Sequence, residues 1–308
     1  MSGPVLPEEM RTRPFTVAEL RDAGLPRSRL RHQALHLPTR SVRSTAPVVT
    51  LVEWAAAFAR ALPDDCAFSH GTAARLLGIP LPRRFEEFKV LDVMRHSRRS
   101  PIRRRGCAGH RGLESRSVLE VSGLRVVAPA DTWCDLGELV RRGLTIEDLV
   151  VAGDHVVERL LGPENRTLLE SLDARCAPRG ATSLDEAVAL VRPGVRSPME
   201  TRARLMFVRA GFPEPEVNAD VRDAHGGWLL EGDLVWREQR VIGEYQGSDH
   251  ASIKRRSADS SRATGAEAEG YRVLEIFAED VYGAAQRRAC LTRFARAMSL
   301  DLAGLRID

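Results

Sequence analysis

The sequence has few of the features that mark several common protein classes. Its five cysteines lie far apart and form no Cys-x-x-Cys pair, which argues against both a disulfide framework and a zinc site. No apolar run approaches the roughly 18 residues of a membrane span, and the first residues contain no apolar signal region. These absences predict a cytoplasmic protein without a membrane partner.

Lysine is also scarce. Lys89 and Lys254 are the only lysines among 46 basic residues, and the others are arginines. A GC-rich genome would produce the same bias, and the net charge of +4 favours an anionic partner only slightly. Only local clusters of arginine can therefore indicate a surface that binds an anionic partner. The 308 residues, 43% hydrophobic and 29% charged, suffice for two or three soluble domains.

The most informative stretch of the chain starts at Trp228. The pattern predicts one strand over Trp228–Trp236 and a second over Val241–Tyr245, with the polar residues 237–239 as the turn between them. A turn centred on residues 238–239 would place Trp236 opposite Val241 in an antiparallel hairpin.

Continuing this register brings two carboxylates together. Asp233 would lie opposite Glu244 on the same face of the sheet, with Cβ atoms about 4.5–5.5 Å apart. Like charges at that distance repel, and a divalent cation is the usual compensation where paired carboxylates line a cleft. Gln246 follows on the same strand and shares the face of Glu244.

These residues resemble a known family. Asp233, ten intervening residues and then Glu244-Tyr245-Gln246 resemble the core of the PD-(D/E)XK nucleases, and with Gly247 and His250 the segment resembles the Vsr-like endonuclease domain. The resemblance covers roughly the last third of the chain. It implies that Asp233 and Glu244 hold Mg²⁺ or Mn²⁺ and that His250 acts as an acid or base near the scissile phosphate.

The sequence departs from this family at one position. Gln246 occupies the place of the family's lysine, so no ammonium group is available there. A glutamine amide can still orient a water molecule by hydrogen bonding. Further basic residues follow in a segment that predicts a helix, and in a nuclease they would hold the DNA backbone on either side of the scissile phosphate. They are Lys254, Arg255, Arg256 and Arg262.

Glu200 has two interpretations. Ser197-Pro198-Met199-Glu200 predicts a helix start, with Ser197 as N-cap and Glu200 as its capping-box partner. In the Vsr-like domain, a helix glutamate at this position also lies near the metal-binding carboxylates. The sequence leaves both interpretations open.

The N-terminal region predicts a helical pair. Thr16 and Glu19 form a capping-box pattern, Gly24 ends the first helix, and a second helix would follow. The second helix would carry Arg27, Arg29 and Arg31. This is the outline of a helix-turn-helix that contacts DNA, although an ordinary helical hairpin with a solvated arginine face fits equally well.

Two segments resemble AbiEi-type antitoxins and regulators. Residues 14–32 resemble the start of their winged helix, and Phe68–Pro82 resembles the next domain, with Ser69 capping a helix that begins at His70. We expect His70 to be a helix-start residue and not a catalyst. The segment 38–49 departs from the usual wing, which weakens the expectation of DNA binding by this unit.

The densest basic cluster lies between Arg95 and Arg111, where no acidic residue occurs. It includes Arg103, Arg104 and Arg105. Charge of this kind protects an edge strand from mispairing, but we favour a patch that contacts phosphate groups.

Together these patterns predict a mixed α/β (α+β) chain in several parts. A winged-helix-like DNA-binding unit would span residues 1–45, an antitoxin-like α/β unit 46–160, a helical linker 161–195, and a Vsr-like nuclease domain 196–308, with a restriction-endonuclease-like central mixed sheet flanked by helices. The leading function is a metal-dependent DNA endonuclease targeted by the N-terminal units. The alternative is a non-catalytic DNA-binding regulator or antitoxin of an abortive-infection-type toxin–antitoxin system, with a cognate toxin as its partner. The oligomeric state is not indicated.

Overall fold

The computed structural model describes residues 6–86, 90–161, 167–175, 178–247 and 265–307. It confirms the mixed α/β class, with helices flanking several sheets. The chain divides into two compact units, Met1–Leu149 with Leu161–Glu186 and Val150–Leu160 with Ala187–Asp308. Within the described ranges, every helix is too short or too polar to cross a lipid bilayer.

The first unit begins with a small helical region that closes on a two-stranded sheet. Its elements are α1 (Glu8–Thr12), β1 (Phe15–Thr16), α2 (Val17–Asp22), a 3-10 helix (Arg27–Arg31) and β2 (Val42–Arg43). The capping box at the start of α2 is confirmed, because Glu19 N–H donates to Thr16 Oγ1 at 3.1 Å and Thr16 N–H donates to Glu19 Oε2 at 2.7 Å. Gly24, with φ of +71°, ends this helix as predicted.

The prediction of a second α-helix in this region is wrong. Arg27–Arg31 forms a five-residue 3-10 helix instead of an α-helix. Leu30 is the only large apolar residue in it, so the segment has no apolar face that would stabilise a longer helix by packing. Arg27 and Arg31 are exposed on this short turn, which is not the recognition helix that the sequence predicted.

The rest of the first unit is built on a five-stranded mixed sheet with the strand order β5-β4-β3-β7-β6. Its strands are β3 (Ala67–Phe68), β4 (Leu91–Arg95), β5 (Cys107–Arg111), β6 (Val118–Val121) and β7 (Leu124–Val127). The helices are α3 (Leu51–Ala59), α4 (His70–Leu76), α5 (Arg83–Glu86), α6 (Pro129–Leu136), α7 (Ile146–His155), α8 (Leu168–Asp173) and α9 (Ala181–Leu190), of which α7 and α9 continue into the second unit.

Helix α6 lies in the core of this unit. Trp133 is fully buried, and its indole N–H donates to the carbonyl of Leu149 at 2.8 Å. Burial raises the pKa of the Cys134 thiol to about 12, so this cysteine is a core residue and not a nucleophile. Strand β5, at the sheet edge, continues the arginine-rich loop of residues 103–105.

The second unit contains a four-stranded sheet in the order β11-β10-β9-β8. Its elements are α10 (Pro198–Ala210), β8 (Glu216–Arg222), β9 (Trp228–Trp236), β10 (Val241–Gln246), α11 (described over residues 265–268), β11 (Arg272–Phe277), α12 (Ala278–Tyr282) and α13 (Ala284–Ala297). Strands β10 and β11 are parallel, and the other neighbours are antiparallel. The sheet is therefore mixed and has helices packed against it, as the sequence predicted.

An aromatic cluster joins the sheet of the second unit to helices α10 and α13. The ring of Phe207 lies 5.0 Å from Trp236 and 4.7 Å from Phe294, both in tilted or edge-on geometry. Gly243 permits this approach. A Cβ at Gly243 would lie 3.0 Å from Ile276 Cδ1 and 3.3 Å from the Phe294 ring. The glycine in the middle of β10 is thus explained by packing.

Candidate functional site

The predicted hairpin register is confirmed over three pairs and then ends. Strands β9 and β10 pair from Trp236↔Val241 to Leu234↔Gly243. The next predicted pair, Asp233 opposite Glu244, is wrong as a ladder pair. Instead, Tyr245 N–H donates to the Asp233 carboxylate at 2.8 Å, so a side chain takes the place of a backbone acceptor.

Strand β9 is kinked at Asp233. A Cβ placed on Gly232 would lie only 2.8 Å from side-chain methyl groups of both Val235 and Ile242. The short distance shows that Gly232 and Val235 point to the same face of the sheet. In a regular strand, residues three apart are separated by about 10 Å and point to opposite faces. The alternation of side chains along β9 is therefore interrupted between these two residues. This kink turns the Asp233 side chain towards the backbone of β10.

The neighbouring strand β8 is distorted at the same level. Asn218 has a φ of +46°, and it lies in register with Asp233, because the pairs on both sides of this position are formed. A left-handed backbone is uncommon outside glycine, although asparagine tolerates it. Backbone conformations of this kind cluster at functional sites. Two adjacent strands thus depart from regular geometry around one carboxylate.

The side chain of Asn218 explains what the distortion achieves. Its Nδ2 donates to Glu200 Oε2 at 2.7 Å and to the carbonyl of Gly194 at 2.8 Å. Glu200 Oε2 also accepts the backbone N–H of Arg196 at 2.9 Å. The side chain of Glu200 is therefore held at the start of α10, against strand β8.

This arrangement tests one of the two interpretations of Glu200, that of a capping-box partner. Helix α10 starts as predicted, because Glu200 N–H donates to Ser197 Oγ at 3.2 Å. The reciprocal bond of a capping box is not formed. The glutamate side chain reaches Arg196 and Asn218 instead, so the capping-box interpretation is wrong for this side chain.

Asp233 lies in a negatively charged environment. Burial is the largest influence on the pKa of Asp233, which rises to about 6; the charges of Glu200 and Glu231 raise it further, while the Tyr245 N–H bond and Arg196 lower it. Arg196 is itself bound to Glu231 through two hydrogen bonds of 2.7 and 2.6 Å. An ionised Asp233 would therefore gain from a cation beside it.

The other two predicted site residues lie on β10. Glu244 and Gln246 share the face of Ile242, opposite the face on which Tyr245 packs against the aromatic cluster. Glu244 is partly buried and Gln246 is exposed. In the described ranges, neither Asp233 nor Glu244 belongs to a group of three His, Cys, Asp or Glu ligand atoms within 4.8 Å.

The structure thus unites part of the predicted site. Asn218, which sequence reasoning missed, binds Glu200 and lies in register with Asp233. The charge of Glu200 raises the pKa of Asp233, and Glu244 lies on the neighbouring strand. Five of the predicted residues, which follow β10 in the chain, lie outside the described residues. They are His250, Lys254, Arg255, Arg256 and Arg262.

The first unit contains a separate basic groove of about 980 Å³. The predicted phosphate-contacting residues Arg103, Arg104 and Arg105 line it together with Arg40 and Arg43. Trp54, which is partly exposed, also lines the groove, and none of the described residues that line it is acidic. A surface of arginines beside an aromatic ring suits a nucleic-acid strand, because guanidinium groups bind phosphates and an exposed ring stacks on a base.

The groove combines segments that are distant in sequence. Arg104 donates to the carbonyl of Arg40 at 2.8 Å, and Arg43 donates to the carbonyl of Leu30 at 3.2 Å. Arg27, Arg29 and Arg31, which the sequence also predicted to contact DNA, do not line it.

In comparisons with known proteins, no family model matches the chain. Two uncharacterized proteins from two strains of Mycobacterium tuberculosis, MT2308 and Rv2248, are each similar to it. Each is 25% identical over 215 residues, which cover 68% of this chain and 74% of the relative.

Proposed function

We propose that the second unit is a metal-dependent endonuclease that hydrolyses DNA phosphodiesters. The observation that carries this proposal is the position of Asp233. It lies where two strands are distorted together, beside a buried glutamate that Asn218 holds in place. A fold has no structural need to bring like charges together in this way, and such a cost is typical of a site that binds a cation.

The residues present fit a hard divalent cation. Carboxylate and amide oxygens are the ligands that Mg²⁺ and Mn²⁺ prefer. Asp233 and Glu244 would hold the ion, with Glu200 adding negative charge next to Asp233. Such an ion supplies an activated water and stabilises the leaving oxygen of the phosphodiester.

The remaining residues have positioning roles in this proposal. The Tyr245 N–H fixes one oxygen of Asp233, and Asn218 fixes one oxygen of Glu200. Gln246, exposed on the face of Glu244, orients the attacking water through its amide. His250 serves as an acid or base, and the basic residues that follow it contact the DNA backbone.

A plasmid cleavage assay tests this proposal. Full-length protein should nick or linearise supercoiled DNA with Mg²⁺ or Mn²⁺ and should be inactive with a chelator. Asp233→Asn and Glu244→Gln should abolish cleavage. Glu238→Gln, at the exposed tip of the same hairpin, is the matched control and should retain it. Cleavage that survives in Asp233→Asn would refute the assignment.

A second function is favoured by the basic groove of the first unit. We infer that the groove binds DNA, either to target the nuclease or, in the alternative function, as the main activity of a regulator or antitoxin that also binds a cognate toxin. In both cases, affinity should fall steeply with salt, because bound counterions are released.

Replacing arginines by uncharged residues shows whether the groove or the Arg27–Arg31 turn contacts DNA. Replacing Arg43, Arg103 and Arg105 by glutamine in the full-length protein should reduce the salt dependence of duplex binding, by a slope of about 0.9 for each phosphate group that is no longer neutralised. Replacing the exposed Arg27 and Arg31 is the matched control and should have little effect. The opposite result would restore the turn as the DNA-contacting element.

A further inference from the structure

A cluster of titratable side chains lies in the first unit, between sheet and helices. It contains His70 at the start of α4, Asp92 on β4, His110 on β5 and Glu138 just after α6. The sequence predicted that His70 begins a helix, which is confirmed, and that it is not a catalyst. The predicted Ser69 cap is wrong in one respect, because its side chain makes no cap hydrogen bond.

His70 is held in an unusual way. Its φ is +47°, and its side chain is 1% exposed. The ring Nδ1 lies 3.0 Å from Ser69 Oγ, whereas Nε2 is buried without a hydrogen-bond partner. Buried polar atoms are nearly always satisfied, so an orphaned ring nitrogen points to a missing partner.

His110 is oriented by a carboxylate. Its Nε2 lies 2.9 Å from Asp92 Oδ1, and Asp92 is positioned by its backbone N–H, which donates to Thr72 Oγ1 at 2.8 Å. Because a carboxylate accepts, the proton lies on Nε2 of His110 and a neutral ring keeps its lone pair on Nδ1. The rings of His70 and His110 are stacked, with centroids 3.7 Å apart.

Glu138 supplies a carboxylate next to this pair. Its Oε2 lies 3.7 Å from His70 Nε2 and accepts a hydrogen bond from Arg179 at 2.9 Å. His70, His110 and Glu138 each offer one ligand atom, and these atoms lie within 4.8 Å of one another. Across the ranges that the structure describes, this is the group of three that meets that criterion.

We propose that His70, His110 and Glu138 bind a divalent transition-metal ion of the zinc class. Two imidazole nitrogens and one carboxylate, with a fourth position open, form the ligand set of a catalytic zinc site. Mg²⁺ prefers oxygen ligands and would not select this set. The site belongs to the first unit and is independent of the proposed nuclease.

The surroundings meet the other requirements of such a site. A metal-bound His110 would donate its other N–H to Asp92, which is the usual outer partner of a ligating histidine. The neighbouring Asp135 Oδ2 is a second buried atom without a hydrogen-bond partner, and it adds negative charge near His70.

Binding requires the three ligand atoms to move closer together and the two stacked rings to turn. Tetrahedral bonds of about 2.0–2.1 Å place ligand atoms roughly 3.3 Å apart, compared with the limit of 4.8 Å in the cluster. Glu138 is 27% exposed and can move towards the rings. The stacked imidazoles would rotate so that their lone pairs converge on the ion.

Cobalt titration of the full-length protein, first stripped with a chelator, tests the proposal. We expect one equivalent of Co²⁺ to give the strong visible absorption of tetrahedral cobalt, and Zn²⁺ to displace it. Asp92→Asn should weaken binding by roughly 10–100-fold, and His110→Asn should weaken it more. Glu138→Gln, on a partly exposed side chain, provides a variant that leaves the core packing unchanged.

The chain offers a matched control pair. His96 Nδ1 and Glu114 Oε2 are also 3.7 Å apart, but their side chains are 44% and 36% exposed, whereas that of His70 is 1% exposed. His96→Asn and Glu114→Gln should leave the cobalt spectrum unchanged, as should Asp233→Asn at the nuclease site. No tetrahedral spectrum in the wild type, or one that persists unaltered in both His110→Asn and Glu138→Gln, would overturn the proposal.

Discussion

The Asp233 carboxylate should destabilise the metal-free protein at neutral pH. Its pKa is raised to about 6 from an ordinary value of 3.8, chiefly by burial. One pKa unit corresponds to about 1.4 kcal/mol, so the ionised group costs up to about 3 kcal/mol of folding free energy. Solvent relaxation around a partly buried group makes this an upper limit.

The sign of the pH dependence follows from proton binding. Between about pH 4 and pH 6, the folded state holds a proton on Asp233 that the unfolded state has lost. Stability from this group is therefore present below pH 4 and is lost as the pH rises through 6. Asp233→Asn removes the ionisation and keeps an oxygen that can accept the Tyr245 N–H.

Thermal unfolding of the chelated protein at pH 4.5 and pH 8 measures this effect. We expect Asp233→Asn to melt close to the wild type at the lower pH and well above it at pH 8, by several degrees if most of the 3 kcal/mol is recovered. Adding Mg²⁺ should raise the melting temperature of the wild type and not that of the variant. Asp220→Asn on β8 is the matched control, because hydrogen bonding from Trp228 lowers the pKa of Asp220. Equal melting of wild type and Asp233→Asn at pH 8 would refute the reasoning.

Three further predictions concern the second unit. Asp154→Ala should lower the free energy of unfolding by about 3 kcal/mol in denaturant titrations, because the fully buried Arg204 loses the buried carboxylate 3.2 Å away and retains the partly exposed Glu214 at 3.0 Å; an unchanged midpoint would contradict this. Gly243→Ala should cost about 1–3 kcal/mol in the same titration, since the added methyl group would press on Phe294, and a neutral effect would show that α13 yields easily. Gln246→Lys should lower or barely change the cleavage rate if the chain is a nuclease adapted to glutamine, whereas an inert wild type that gains metal-dependent cleavage with this change would favour the regulator.

Local patterns in the sequence predicted local structure well. The register of the β9–β10 hairpin followed from the position of one turn, and the starts of α2 and α10 followed from capping residues. In each case, the interacting residues are close in sequence, so a short pattern contains the necessary information. The prediction of an α-helix over Arg27–Arg31 is wrong, because capping and proline signals do not show how much apolar surface is available for packing.

The parts that the sequence did not predict depend on distant residues. Nothing near Asn218 signals its left-handed backbone, apart from the tolerance of asparagine for that conformation. Its hydrogen bond to Glu200 depends on how α10 packs on β8. Likewise, His70 and His110 come together only through the order of strands in the sheet. The spacing of the cysteines argued against a zinc site. That argument applies to sites with thiolate ligands and does not apply to sites formed by histidine and carboxylate side chains.

A single variant tests the central claim most directly. Cleavage of supercoiled DNA and thermal stability should be measured on the same preparation of Asp233→Asn, beside the wild type. If Asp233 holds a catalytic cation, the wild type should cleave with Mg²⁺ or Mn²⁺, and the variant should be inactive although it is more stable at pH 8 without metal. A wild type that fails to cleave with either ion, or a variant that cleaves as fast as the wild type, would contradict the account.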